Sequence, residues 1–593
     1  VTLHREAFDT ETTGLDVHSS PPPRVFAYTR FDGEKYIRER EGTSGFKENL
    51  QAYLNDTSIA KVCHNVKFDY SVLLSNGYRI PKETEWHCTM VMHQLLDNIN
   101  PSHSQENICY EIFGYPKHTD EQIRSMAKSV GGDYSKIPDE IMQEYQQHDA
   151  VRGKLMDDLF WPEIERDEKL LDVYQHEIDL IKLTYRMEER GIMIDRKECY
   201  AMIDWLDEEI SKLQSDIYDL CGKYINPNSP KQLAGFLFDY LQFPIYDFTP
   251  SGSPKIDKHT IYTLQENGFN HPMLEYALKY RSYTNGKSTI KKYLQFANKK
   301  TDIAHCNIKT NHDVTGRQAA EKPNFHNVQK EGALLIRYPI PARRCFRARP
   351  MHYWDLHDYS GIELRLIAAL SGEQELIDCF KSGGDGHALL CNVWYDDVYS
   401  LHLHKQVVFS EMPSDSPERK TLRGSGKNGN FACGYGAQPK KLAQVFGLSI
   451  DDMKRSFDKI RERFPRYARF STRLISQAKR DGFIVTPFGR RLKIPPEELF
   501  TKPGNFMIQG TGADILKRAQ IRLGNYYRDQ WNDEIKIILS IHDEIISEKP
   551  RRFLRHEDRL QRETSEIMTN FPEIDINLDV ELKRTFGKWS DAE

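Results

Sequence analysis

Three strand-like runs in this chain carry carboxylates where an apolar strand tolerates them poorly. They are REAFDTE, with Asp9 and Glu11; HYWDLHDYS, with Asp358; and IKIILSIHDEIIS, with Asp543 and Glu544 after His542. Each such group must be exposed, paired or metal-bound to offset its desolvation. Residues two apart on a strand leave the same face, so Asp9 and Glu11 can converge on one cation. Asp358 closes its strand and His542–Asp543–Glu544 joins two short strands, which makes a second oxygen-rich place at strand ends. A solvated strand end is the bland alternative for Asp9 and Glu11 taken alone.

These runs lie too far apart for one core. At about 150 residues per domain, 593 residues predict three or four domains. Residues 1–170 alternate strand-like runs (REAFDTE, RVFAYTRF, IAKVCHN) with helical ones such as FDYSVLLSNG, an α/β pattern. From 171 the text turns to long amphipathic helices, LLDVYQHEIDLIKLTYRMEERG and AMIDWLDEEISKLQSDIYDLCGKY. Beyond 350 a strand runs into the helix GIELRLIAALSG, then a mostly helical block precedes the strand pair at His542. The fold class is therefore α/β and α+β, multidomain.

Composition, with 39% hydrophobic and 28% charged residues, is that of a globular protein. No run approaches the ~18 apolar residues of a membrane span, and no secretory or lipidation signal is visible, so an intracellular, cytoplasmic location is expected. Ten scattered cysteines without a C-x-x-C pair read as reduced thiols, and His87, Cys88 and His93 as packing residues. The net charge of −5 argues by itself against a nucleic-acid partner. Two basic clusters oppose that: Arg337, Arg343, Arg344, Arg347 and Arg349; and Lys479, Arg480, Arg490, Arg491 and Lys493. Solvated basic faces would explain either on charge alone.

After D-x-E at Asp9 and Glu11 come N-x-x-x-D, from Asn65 to Asp69, and Y-x-x-x-D, from Tyr145 to Asp149. This order resembles the DEDD superfamily of 3′→5′ exonucleases, in the subtype with tyrosine in its third motif, and implies an RNase H-like domain. By that resemblance Asp9, Glu11, Asp69 and Asp149 hold two divalent cations and Tyr145 orients the attacking water. The chemistry suits the residues: two hard cations about 4 Å apart clamp the attacking and leaving oxygens of a phosphoryl displacement, and oxygen ligands select Mg²⁺ or Mn²⁺ over zinc.

In T-L-R-G-S-G-K-N-G-N-F-A-C-G-Y-G, Arg423, Lys427, Phe431 and Tyr435 recur every four residues, one stripe of a helix. A phosphate loop fails as the alternative, because Thr421 replaces its first glycine and Asn428 the residue that binds magnesium. Gly424, Gly426 and Gly429 each cost a helix about 1 kcal/mol relative to Ala, so propensity alone favours a loop. The expectation is a helix marginal by itself and ordered by packing or by nucleotide. With D-Y-S-G-I-E-L-R from Asp358 and the His542–Asp543–Glu544 turn, the stripe resembles motifs A, B and C of family A DNA polymerases, the DNA polymerase I type.

The resemblance implies a right-handed polymerase: 171–310 as thumb, 311–372 and 496–593 as palm, and 373–495 as fingers, after an exonuclease domain at 1–170. It gives Asp358 and Asp543 two catalytic cations, Mg²⁺ with Mn²⁺ as substitute, with Glu544 beside them. It assigns Arg423 and Lys427 to the triphosphate, Phe431 and His542 to the incoming nucleotide, and Tyr435 to the template side. Glu363 would exclude a 2′ hydroxyl, and Phe431, lacking a hydroxyl, would disfavour dideoxynucleotides. Arg317 of T-G-R, Asn324 and Asn327 of P-N-F-H-N, Asn505 and Gln509 would contact primer and template, and Lys287, Ser288 and Thr289 of the thumb would grip DNA. Gly361 departs from the family's usual glutamine.

Implied partners are primer-template DNA and dNTPs, with no membrane, a monomeric state and no accessory factor identified. No 5′ nuclease domain is expected before Asp9, and the plan suits a phage-type enzyme. Rival readings are an exonuclease with a DNA-gripping second half, a non-catalytic primer-template binder, and an RNA polymerase, which Glu363 disfavours.

Overall fold

A computed structural model describes residues 3–328 and 338–592. Near the N-terminus a five-stranded sheet runs in the order Tyr36–Arg40, Val25–Phe31, His4–Thr12, Ile59–Cys63, Trp86–Cys88. The first three strands pair antiparallel and the last two join in parallel. The parallel crossover is helical, because Val66–Ser75 follows the Ile59–Cys63 strand directly. The long helix Asp139–Glu165 packs on the sheet through Met156, Phe160 and Trp161, all buried. His87 is packing material, edge-on to Trp161 and stacked on Tyr174.

The next helix, Glu168–Arg190, is capped by Asp167, whose side chain accepts from the amides of Lys169 and Leu170. This helix, placed at the start of the expected thumb, lies between the first sheet and the helix Pro503–Gln530. Tyr174 Oη accepts from the Cys88 amide of the sheet at 2.8 Å, while Glu177 accepts from Lys517 on the long helix at 2.6 Å. Its apolar period was legible, but its two partners were not. The antiparallel pair Arg196–Cys221 and Pro272–Phe296 follows. The segment between them closes over a separate small core of Leu233, Phe236, Ile261 and Leu274.

A four-stranded antiparallel sheet forms the centre of the second half, in the order Lys536–Ile541, Glu544–Pro550, His352–Tyr359, Val580–Thr585. The final strand was not read from sequence. Helices Ile362–Ser371 and Pro503–Gln530 pack beside it. The block from Gln374 to Asp481 is helical, as expected, but also holds the hairpin of Asp396–Ser400 and Lys405–Val408.

Within that block the glycine-rich segment is one helix, Pro417–Gly434. Packing accounts for it. A Cβ on Gly426 would overlap Cys391 Sγ, one on Gly429 would overlap the Phe446 ring, and one on Gly434 would come within 2.6 Å of Ile367 Cδ1. The glycines lower helix propensity but let three neighbours approach closely, and those contacts order the helix. Trp394, fully buried against Phe446 and Phe457, donates from Nε1 to Asn430 Oδ1 at 2.8 Å and fixes the helix's rotation. Burying a side chain of that size contributes about 3 kcal/mol.

Most of each basic cluster is drawn into the fold, while Lys479 and Arg480 stay exposed, Arg480 pairing with its neighbour Asp481 at 2.8 Å. In the first, Arg343 is buried with its guanidinium over Trp589, and Arg349 donates to Glu548 at 2.7 Å. Arg347 pairs with Asp195 at 3.6 Å; Arg337 lies outside the described residues. In the second, Arg490 is buried between Glu177 and Asp514, Arg491 pairs with Asp167 at 2.7 Å and Lys493 with Asp97 at 3.1 Å. These side chains tie the first sheet, the Glu168–Arg190 helix and the second half of the chain together. Among the described residues no helix is long and apolar enough to cross a membrane, and all ten cysteines are free thiols.

Candidate active sites

The first site sits where the central strand of the N-terminal sheet meets two helices. His4–Thr12 presents Asp9 and Glu11, Val66–Ser75 brings Asp69 in its first turn, and Asp139–Glu165 brings Tyr145 and Asp149. Asn65, ahead of that first turn, takes a positive φ of 64°. Thr10, between the two motif acids, donates to Asp69 Oδ1 from its amide at 3.0 Å and from its hydroxyl at 2.7 Å.

Burial, then the neighbouring negative charges, pushes Asp9 and Glu11 well above the usual carboxylate range. Burial raises Asp69 to about 7 despite the Thr10 donors. Asp149 is likewise raised by burial and by Asp9, and accepts from the Tyr145 hydroxyl. Glu11 Oε1 is buried with no hydrogen-bond partner among the described residues. Glu11, Asp69 and Asp149 are buried and Asp9 half-buried, and although no three of their ligand atoms lie within 4.8 Å of one another, their charges act on one another, so together they are stable as anions only with compensating positive charge. An all-oxygen donor set of this kind fits hard divalent cations. Sequence reasoning found these acids by motif; it missed Thr10 and Arg152, whose Nη1 lies 3.3 Å from Asp149.

The second site is built on the four-stranded sheet. Asp358 pairs in register with Glu544, and the Tyr359 amide donates to the Asp543 carbonyl at 3.2 Å, so the strand end and the turn form one rim. His542 takes a positive φ of 56° in that turn. Burial first, then Asp358, raises the Asp543 carboxyl to about 7. The Val580–Thr585 strand sets Glu581 beside Asp358 in the same row, a carboxylate that no motif indicated.

Glu363, in the first turn of Ile362–Ser371, faces this rim and is raised mainly by burial. It accepts a hydrogen bond from the Tyr435 hydroxyl, to which the Asn505 amide donates in turn. Arg317 and Lys427 lie near enough to favour the charged form of Glu363. The four-residue stripe is thus directed at the rim: Phe431 lies parallel to Tyr435, centroids 6.5 Å apart, and edge-on to His387. Lys427 is exposed, and Arg423 Nε donates to Asp385 at 2.5 Å, a partner that the motif did not indicate.

Asn505 and Gln509 sit one turn apart on the partly open face of Pro503–Gln530. Asn324 and Asn327 are exposed in a short turn whose His326 lies close to His542. Arg317 is exposed and donates to Asp313 at 2.6 Å. Ser288 is exposed, Thr289 Oγ1 donates to the Asn285 carbonyl at 2.9 Å, and Lys287 is bound to Asp207. Arg281, which opens that segment, is a structural tie, donating to the carbonyls of Pro227 at 2.8 Å and Ile256 at 2.9 Å.

Comparisons with known proteins bear on the family and the fold. Residues 5–165 match the 3′-5′ exonuclease family model, and residues 196–591 match that of DNA polymerase family A. DNA polymerase I of Pseudomonas aeruginosa is 27% identical over 565 residues, covering 91% of this chain and 59% of that protein. The thermostable DNA polymerase I of Thermus aquaticus is 27% identical over 456 residues, covering 74% of this chain and 51% of that protein. The chain thus spans between half and three-fifths of the length of these relatives. A solved structure of the polymerase domain of Pol1 from M. smegmatis, in complex with DNA primer-template and dNTP, shares the fold. Its TM-score is 0.80 at 22% identity, over 100% of this chain and 96% of that one. With more than half its length matched by the polymerase model and the exonuclease model ahead of it, the chain belongs to DNA polymerase family A.

Proposed function

We propose that this protein is a DNA-directed DNA polymerase acting in DNA replication, which extends a primer 3′ end along a template and proofreads it with its own 3′→5′ exonuclease. The position of Glu363 carries the reading. One side chain connects the Asp543 carboxylate of the turn to Tyr435 of the stripe, to which it is hydrogen-bonded. A mere DNA clamp would have no need of half-buried acids beside a row of cationic and aromatic side chains.

In this reading the N-terminal sheet is the exonuclease, the Arg196–Cys221 and Pro272–Phe296 helices form the thumb, the four-stranded sheet is the palm, and 373–495 are the fingers. Asp358 and Asp543, with Glu544 alongside, would hold divalent cations in the palm, and Asp9, Glu11, Asp69 and Asp149 would hold them in the exonuclease; Mg²⁺, with Mn²⁺ able to substitute, would lower the pKa of the attacking 3′ hydroxyl or water and neutralise charge on the leaving group.

Arg423 exchanges Asp385 for the triphosphate and Lys427 joins it, while Phe431 and His542 position the nucleotide. Glu363 excludes a 2′ hydroxyl, and Tyr435 stands beside the template base. Arg317, Asn324, Asn327, Asn505 and Gln509 contact the duplex. Lys287 exchanges Asp207 for a phosphate, with Ser288 and Thr289 beside it. Tyr145 orients the attacking water of the exonuclease. The partners are primer-template DNA and dNTPs, and the enzyme works as a monomer.

The test is a primer-template assay with Mg²⁺, with and without dNTPs. Asp358→Ala abolishes extension and spares degradation; Asp9→Ala abolishes degradation and spares extension. A parent protein that degrades primers and never extends them would overturn the proposal.

A further inference from the structure

We propose that Arg152 and Asp120 form a positioning pair that fixes the Asp149 carboxylate for cation binding in the exonuclease centre, an inference that rests on the exonuclease reading above. Arg152 follows Asp149 by three residues on the helix Asp139–Glu165, so the two side chains share a face. Arg152 is buried, 1% exposed. Nη1 donates to Asp120 Oδ1 at 2.9 Å and reaches Asp149 Oδ1 at 3.3 Å. Nη2 donates to Asp120 Oδ2 at 2.9 Å and to the Pro116 carbonyl at 2.8 Å. The ring of Tyr115 lies 4.8 Å from the guanidinium carbon.

Asp120 comes from the His118–Ser129 helix, which no motif reading connected to the centre. The Arg152–Asp120 pair is neutral as a unit, so it adds little net field to the cluster of acids. Its contribution is orientation: the two-pronged contact with Asp120 leaves the planar group one fixed direction, and that direction holds one oxygen of Asp149. Gln105 Nε2 donates to the Asp149 carbonyl at 2.9 Å, so both backbone and side chain of this residue are held. Partners that orient metal ligands typically control affinity by about 10- to 100-fold. Lysine cannot replace the fork, since its ammonium is a point donor.

The experiment uses the full chain carrying Asp358→Asn and Asp543→Asn, so that the exonuclease centre is the site observed. Mn²⁺ binding is followed by electron paramagnetic resonance, alongside degradation of a single-stranded oligonucleotide over a Mn²⁺ series. Arg152→Lys keeps the charge; the double variant Asp120→Asn/Arg152→Met leaves no buried orphan ion and guards against simple misfolding. Both weaken Mn²⁺ binding about tenfold or more and raise the half-saturating Mn²⁺ for degradation to match. Parent-like Mn²⁺ binding in both variants, or full rescue by lysine, overturns the proposal. Asp149→Asn is the separate control: if it binds Mn²⁺ and degrades DNA like the parent, the exonuclease reading itself fails.

Discussion

Gly429 in the Pro417–Gly434 helix lies so close beneath the ring of Phe446 that one added methyl group would overlap it. Gly424, earlier on the same helix, faces open space. The two therefore respond in opposite directions to one substitution. Gly424→Ala strengthens the helix by about 1 kcal/mol, while Gly429→Ala forces a core shift costing about 1–3 kcal/mol. Amide hydrogen exchange across residues 417–434 reads both, with slower exchange in the first variant and faster in the second.

The Tyr435–Glu363 hydrogen bond predicts a graded loss of sugar discrimination. Glu363→Ala opens the space that would meet a 2′ hydroxyl and lowers the dNTP/rNTP preference by at least about tenfold. Tyr435→Phe frees Glu363 without removing it and lowers the preference less. Single-nucleotide incorporation with matched dNTP and rNTP measures both, and an unchanged ratio in Glu363→Ala would contradict the assignment.

Asp69 and Asp543, each raised to about 7 chiefly by burial, give stability a distinct dependence on pH. A carboxyl whose folded pKa lies above its unfolded value near 4 keeps its proton longer in the folded state. The stability this contributes is complete below pH 4 and is lost as pH rises through about 7. In EDTA the parent therefore loses more thermal stability between pH 5 and pH 8 than Asp69→Asn does. Adding Mg²⁺ at pH 8 restores the parent more than the variant, since cations displace those protons and bind the folded state.

Glu177 is the shared acceptor of a buried junction: Lys517 Nζ at 2.6 Å, Asn311 Nδ2 at 3.1 Å and the Arg490 guanidinium. Arg490 also meets Asp514 at 2.8 Å. Glu177→Gln leaves two buried cations against one carboxylate and costs about 3–5 kcal/mol, read as a drop in the urea midpoint. Glu168→Gln, on an exposed position of the same helix, leaves it unchanged.

The sequence by itself determined the elements that repeat and the groups that must be compensated. The strands bearing Asp9, Glu11 and Asp358, the turn at Asp543, and the 3.6-residue period of the long helices are all local patterns. Their acids stand out because burying a charge is costly wherever the chain goes. Tertiary structure decided what meets them. It turned Arg343, Arg349, Arg490, Arg491 and Lys493 of the two basic clusters into ties between elements, drew the Glu168–Arg190 helix between two halves of the molecule, and made a helix of a glycine-rich segment. It also set Asp385 against Arg423 and Asp120 against Arg152. These pairings join residues as far apart as Glu177 and Lys517. They rest on shape and on charge satisfied across separate elements, which local propensity and spacing do not encode.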